Sequence, residues 1–240
     1  GFKLKEITPG EGYVVVDYKK IREYHQNVDL SENRDYEKES GEFVRACAVP
    51  MEGLKPLRPS VEAGFHSILL KHVIHTHPVY TNMICCSKNG KELADKIFKA
   101  KGYGFVWIPY INPGFMLTLA MLGEINGYLQ KAGRFPQVVF MENHGLVVTA
   151  NTADECIALH EDVNRTIREY FHMDEPFPEI RIEPVGDGTF RSKTPYLIDY
   201  FKGRDITLSF FDNTALYPDQ LVYLNGNISV NESTQKLNIN

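Results

Sequence analysis

Val73-Ile74-His75-Thr76-His77-Pro78 is the stretch from which the rest of the chain is read, together with the distant run Phe140-Met141-Glu142-Asn143-His144-Gly145. Strand side chains alternate between faces, so histidines at i and i+2 of a β-branched run share one face. A third histidine beside a glycine in a second apolar run can complete a three-imidazole set. Three neutral imidazoles suit a divalent transition metal, most often zinc, and leave a coordination position open for substrate or water. A lone His-x-His pair is weak evidence for such a site, and most of the eight histidines in this chain are expected to be surface or satisfied core residues.

Working outward, Lys71–Thr76 reads as a strand, preceded by a helix from Val61 whose N-cap would be Ser60. Lys91–Lys101 has helical apolar spacing at Leu93, Ala94, Ile97 and Phe98. Gly104–Pro109 is an expected strand. Pro113–Lys131 is an expected amphipathic helix, ended by Gly133. Gln137–Glu142 and Gly145–Thr149 read as strands flanking Asn143-His144. Thr152-Ala153-Asp154-Glu155 is a capping box opening a helix to about His172. Nearer the N-terminus, Tyr13–Tyr18 and Phe43–Val49 read as strands, 19–26 as a short helix and Ser31–Gly41 as a charged loop. Beyond Met173 the prolines mark a less regular segment, with strands expected at Ile206–Phe211 and Leu221–Leu224 and a turn at Asn225-Gly226. The pattern is one α/β domain over residues 1–175, with 176–240 a C-terminal extension packed on that domain or on a neighbouring subunit.

The 240 residues, 43% of them hydrophobic, suffice for a sizeable core. A net charge of −5 and a pI near 5.9 give no electrostatic reason to expect nucleic acid or an anionic membrane as partner. No apolar run reaches the length of a membrane span. Gly1–Lys5 has no signal-peptide apolar core, and the absence of an initiating Met is consistent with a processed form or a fragment. Cys47, Cys85, Cys86 and Cys156 include no CxxC pair and read as reduced core thiols of a cytoplasmic protein.

Glu62 falls near a helix start, where the helix dipole favours a carboxylate. It is either ordinary N-terminal helix charge or a fourth ligand or general base beside a metal. His66, one turn on, either orients Glu62 or forms a common helix-surface pair. Tyr110 lies in a strand-to-helix loop, where functional side chains concentrate, although most of the 13 tyrosines must simply pack.

In order, Pro59-Ser60-Val61-Glu62, His75-Thr76-His77-Pro78, Pro109-Tyr110 and Asn143-His144-Gly145-Leu146-Val147 resemble the motifs of the class II aldolase/adducin family over about residues 41–172. The resemblance implies a three-layer α/β/α fold with a largely antiparallel central sheet. It implies Zn2+, or another divalent first-row metal, on His75, His77 and His144, with Glu62 as catalytic carboxylate and Ser60 holding a substrate phosphate. Tyr110 matches a tyrosine that donates a proton in an adjacent subunit's site, and a homotetramer is the expected assembly. The implied reaction is retro-aldol cleavage of a ketose phosphate through a metal-stabilised enediolate. Epimerases, decarboxylases and dehydratases of the family share the ligands, and adducin-like heads use the fold for interaction alone. C-terminal residues, with Tyr196, Tyr200 and Tyr217 as candidates, would separate the enzymes.

This chain departs from the family pattern in three places. Val61 replaces the second serine of a common Pro-Ser-Ser-Glu. The family's Gly-Asn-x-Ser loop has no counterpart upstream of Ser60, and Gly226-Asn227-Ile228-Ser229 occurs only near the C-terminus. The interval from His77 to Tyr110 is long, as in aldolase-like domains found alone or fused to a dehydrogenase.

Overall fold

Four short β-branched and aromatic runs form the central sheet: β1 (His72–Thr76), β2 (Phe105–Ile108), β3 (Val138–Met141) and β4 (Gly145–Ala150). They lie in the order β1-β4-β3-β2. β4 is antiparallel to both β1 and β3, and only β2 and β3 run parallel. The computed structural model describes residues 6–186, 189–204, 207, 209–210, 218–224, 228–231 and 236–239.

Every residue of β3 and β4 is buried, as a sheet covered on both faces requires. Alternation then divides the core in two. Trp107, Val138, Phe140, Leu146, Val148 and Ala150 face α4 (Val79–Cys85), α5 (Gly90–Phe98) and α7 (Ala153–Tyr170). Val106, Ile108, Val139, Met141 and Val147 face α3 (Ala63–Ser67) and α6 (Phe115–Ala132). The result is the expected three-layer α/β/α arrangement with a largely antiparallel sheet. β1 follows the same parity. Ile74 belongs to the α7 side and Val73 to the α3 side, so His75 emerges toward α3.

The capping box is present: Thr152 Oγ1 accepts from the Glu155 N–H, and Glu155 accepts from the Thr152 N–H. α6 ends at Gly133 with φ +66°, a left-handed cap that glycine adopts without a Cβ penalty. The four cysteines are free thiols, three of them buried.

Three N-terminal expectations are corrected. Tyr13–Tyr18 supplies only an isolated bridge, Val16 to Ala48, and α1 (Tyr18–Asn27) follows at once, capped by Asp17. The loop at Ser31–Gly41 and the strand at Phe43–Val49 are replaced by one helix, α2 (Tyr36–Ala46). Asp35 caps it, and Glu37 and Glu39 sit in its first turn, where the dipole favours them. Its charged residues have structural work: Glu37 accepts from the Phe115 and Met116 N–H groups, capping α6, while Tyr36 stacks on Phe115. His25 is a satisfied core histidine, with Nδ1 donating to the Ile21 carbonyl and Nε2 3.2 Å from Ser40 Oγ.

Elsewhere, Ser60 is not the N-cap of α3, which starts two residues later than expected with Glu62 in the cap position. α4 is a helix the sequence reading did not anticipate. After Met173 the described elements are β5 (Ile182–Gly186), β6 (Thr189–Ser192), α8 (Pro195–Phe201), α9 (Pro218–Leu224), β7 (Ile228–Asn231) and β8 (Lys236–Ile239). α9 replaces the strand expected at Leu221–Leu224, because Pro218 supplies a preset helical φ at the first position. Tyr217, the Asn225-Gly226 turn and Ile206, Leu208 and Phe211 lie outside the described residues, and within the strand expected at Ile206–Phe211 Ser209 and Phe210 are helical instead. Among the described residues no helix is long and apolar enough to cross a membrane.

Removing the cap tests how α7 is anchored. Thr152→Ala should lower the denaturant-derived stability by about 0.5–2 kcal/mol, whereas Thr152→Ser should retain most of it.

Candidate metal centre

The β1–β4 register places His75 opposite Val147 and Thr76 opposite Leu146. Met141 pairs with Gly145 across the β3–β4 hairpin, so the intervening turn, with His144 in it, projects at the end of β1. The turn needs one residue in the left-handed region, and Asn143 takes it at φ +48°. Gly145 has a different task. A Cβ there would stand 2.6 Å from both His77 Cδ2 and the Thr76 carbonyl, so only glycine lets His77 lie against the hairpin.

His75, His77 and His144 consequently form a near-equilateral triangle, with ring centroids 5.0, 5.0 and 5.1 Å apart. One nitrogen from each lies within 4.8 Å of the others. Glu62, at the start of α3, faces them: Oε1 is 3.5 Å from His75 Nε2 and 3.3 Å from His144 Nε2. His144 is buried and the others are partly so.

The donor chemistry fits a divalent ion. His75 Nδ1 donates to the Leu146 carbonyl, 3.0 Å away, so Nε2 is the nitrogen that faces Glu62 and the one an ion would take in place of its proton. His77 Nδ1 lies 2.9 Å from Asp219 Oδ1. Rings whose Nδ1–H is engaged in this way present Nε2 as the ligand atom. His75, His77, His144 and Glu62 would therefore hold the ion.

Electrostatics tie Glu62 to the imidazoles. Burial alone would raise its pKa, but the contacts with His144 and His75 outweigh burial and hold the carboxyl well below its ordinary range. Burial works against His75 as a cation, yet Glu62 outweighs it and the net shift is upward. His66 is pushed down, by burial first and then by His75. Its ring stacks on Phe65 and meets His75 edge-on at 6.2 Å, so it backs the site rather than pairing with Glu62.

Ser60 Oγ accepts from the Glu62 N–H at 3.2 Å, shaping the turn that delivers the carboxylate. It also lines a small cavity of about 60 Å3 with Arg45, Arg58, Glu37 and Gly114. Tyr110 is not brought to the triad: it is 55% exposed and donates to Asn112 Oδ1. Tyr196 and Tyr200 stack on each other along α8. Two contacts had no signal in the sequence. Thr76 Oγ1 lies 2.7 Å from His160 Nε2, anchoring the residue between His75 and His77 to α7. Asp219 reaches His77 from 142 positions away.

The chain matches the model of the Class II Aldolase and Adducin N-terminal domain over residues 1–171. It belongs to that family. It is 34% identical over 154 residues to the uncharacterized oxidoreductase YuxG of Bacillus subtilis (strain 168), an alignment covering 62% of this chain and 21% of that protein. The chain thus spans about a fifth of that relative's length. Its fold resembles the N-terminal class II aldolase domain of a conserved protein from Thermoplasma acidophilum, with a TM-score of 0.51, 20% identity and 67% of each chain covered.

Two outcomes are expected from this geometry. Gly145→Ala should displace His77, weakening divalent-metal binding in a chelator competition, with an overpacking cost of about 1–3 kcal/mol in denaturant unfolding. In the metal-free protein, the lowered Glu62 value contributes stability above the ordinary carboxylate pKa of 4.5 that is lost as pH falls through the lowered value. The raised His75 value contributes stability below the ordinary imidazole pKa of 6.5 that is lost as pH rises through the raised value. The pair therefore acts most fully between those two pH values. Because an ion must displace the His75 proton, calorimetry in buffers of different ionisation enthalpy should show more proton release on zinc binding at pH 6 than at pH 8.

Proposed function

We propose that the protein is a metal-dependent aldolase-type lyase, zinc-loaded in the first instance, that cleaves a ketose phosphate or related sugar by retro-aldol reaction. The observation that carries this reading is the clustering of three imidazoles, two of which, His75 and His144, meet one ionised, partly buried carboxylate, Glu62. A divalent ion held there supplies Lewis-acid polarisation of the substrate's carbonyl oxygen. Glu62, kept ionised by His144 and His75, is a base at neutral pH. In the condensation direction it takes the proton from the carbon next to the carbonyl, and in cleavage it passes to that carbon the proton given up by the hydroxyl that becomes the aldehyde oxygen.

Ser60, with Arg58 and Arg45 lining the same cavity, is the proposed contact for the substrate's anionic end. The arginines offer charge-assisted hydrogen bonds near Val61, which stands where many relatives carry a serine hydroxyl. Tyr110 is exposed on its own chain, which suits a role at the aldehyde oxygen of a neighbouring subunit's site in a homotetramer. A cytoplasmic location agrees with the free thiols.

Elemental analysis of native protein should find about one zinc or other first-row ion per chain, and His77→Ala should lose it. Glu62→Gln should lower aldehyde release from a panel of ketose phosphates by about 10²–10⁴-fold while its fold is retained. Epimerised or decarboxylated product without aldehyde would move the reaction to another branch of the family. Failure of native protein to hold metal after zinc addition would leave a fold used for interaction.

A further inference from the structure

We infer that Asp219, from the C-terminal segment beyond the family-matched region, is a positioning residue that fixes His77 as a metal ligand. The inference rests on the reading of His75, His77 and His144 as a metal centre. β1 ends at Thr76, so His77 stands just past the last ladder pair and the sheet does not fix its ring. Two contacts do. Gly145 leaves room on one side, with no side chain to displace the ring. On the other, Asp219 Oδ1 lies 2.9 Å from Nδ1. A carboxylate is an acceptor only, so Nδ1 carries the hydrogen and Nε2 keeps its lone pair for the ion. The Leu146 carbonyl does the same for His75, so two of the three imidazoles have their donor nitrogen engaged by an oxygen outside the triad.

The placement of Asp219 separates this arrangement from the shared fold. The family model ends at residue 171, and Asp219 is the second residue of α9. Its helix neighbour Gln220 is buried, so this end of α9 is seated rather than loose. A carboxylate behind a ligating imidazole orients the ring and makes it a stronger donor. Loss of such a partner commonly weakens metal binding by about 10–100-fold. A surface ion pair between a cationic His77 and Asp219 would predict the opposite, because the ion would then compete with the pair and removal of Asp219 would leave metal binding unchanged or tighter.

The full-length chain, Asp219→Ala, Asp219→Asn and His77→Ala decide between them. Zinc affinity would be measured by competition with a chromophoric chelator, and the His77 tautomer by 15N–1H correlation of the imidazoles in metal-free protein. In the native chain the His77 resonances should report hydrogen on Nδ1. Asp219→Ala should lose that tautomer preference and about 10–100-fold in zinc affinity. Asp219→Asn, whose amide oxygen still accepts, should keep the tautomer and lose only a few-fold. An Asp219→Ala protein with native tautomer and native zinc affinity overturns the inference. So does an Asp219→Asn protein as impaired as the alanine variant, since orientation through the acceptor oxygen would then not be what matters. If His77→Ala binds zinc as tightly as the native chain, the metal-centre reading fails instead. The tautomer measurement then stands by itself, and an unchanged tautomer in Asp219→Ala also removes the positioning role.

Discussion

The pairing of β1 with β4 is the constraint on which the rest depends. With His75 opposite Val147, the β3–β4 turn lands where His144 can meet His75, and α3 lies on the same side of the sheet, bringing Glu62. A slip of one residue would reverse every side chain of β1. Val73 would leave the α3-side core and Ile74 the α7-side core, His75 would point away from Glu62, and Thr76 would lose His160. Burial on both faces therefore specifies the register, and the register specifies the site. The chemistry and the packing are two readings of one ladder.

Electrostatics reinforce this geometry from the other direction. His144 and His75 hold Glu62 in its charged form, and Glu62 in turn shifts His75 toward its charged form, so the metal-free site holds itself together with its own ion pair. That arrangement keeps Glu62 and the imidazoles near one another before any ion arrives, at the cost that protons compete for the same nitrogens. The adjacent hydrogen bonds, Leu146 to His75 and Asp219 to His77, limit that competition to one nitrogen of each ring.

Much of the centre was legible because its signals are local. The i, i+2 histidines lie on one strand and just past its end, the Asn-His-Gly turn combines a left-handed residue with a glycine required by close approach, and Thr152–Glu155 is a self-contained cap. The failures are equally physical. Tyr36–Ala46 contains Phe43 and Val44, which favour strand, and a charged first half that looks like a loop. Its helical state is set by Asp35 at one end and by packing against α6, with Glu37 serving another helix's N-terminus. Leu221–Leu224 has strand composition, yet Pro218 starts a helix. Tyr110 shares a motif with the site but not its space. Asp219 sits in an unremarkable Pro-Asp-Gln run, and its role exists only in three dimensions.

The separations within the centre carry a consequence for how the protein is made. Glu62 meets His144 across 82 positions of sequence, and His77 meets Asp219 across 142. Closing loops of that length gives no return until the intervening sheet and helices are in place. The centre therefore cannot pre-exist in a nascent or partly folded chain, and it does not nucleate folding as a zinc finger does. A chain still on the ribosome, with α9 not yet emerged, would lack Asp219 behind His77. Any capture of an ion by this arrangement would thus be a late event, available only once α9 has emerged and docked.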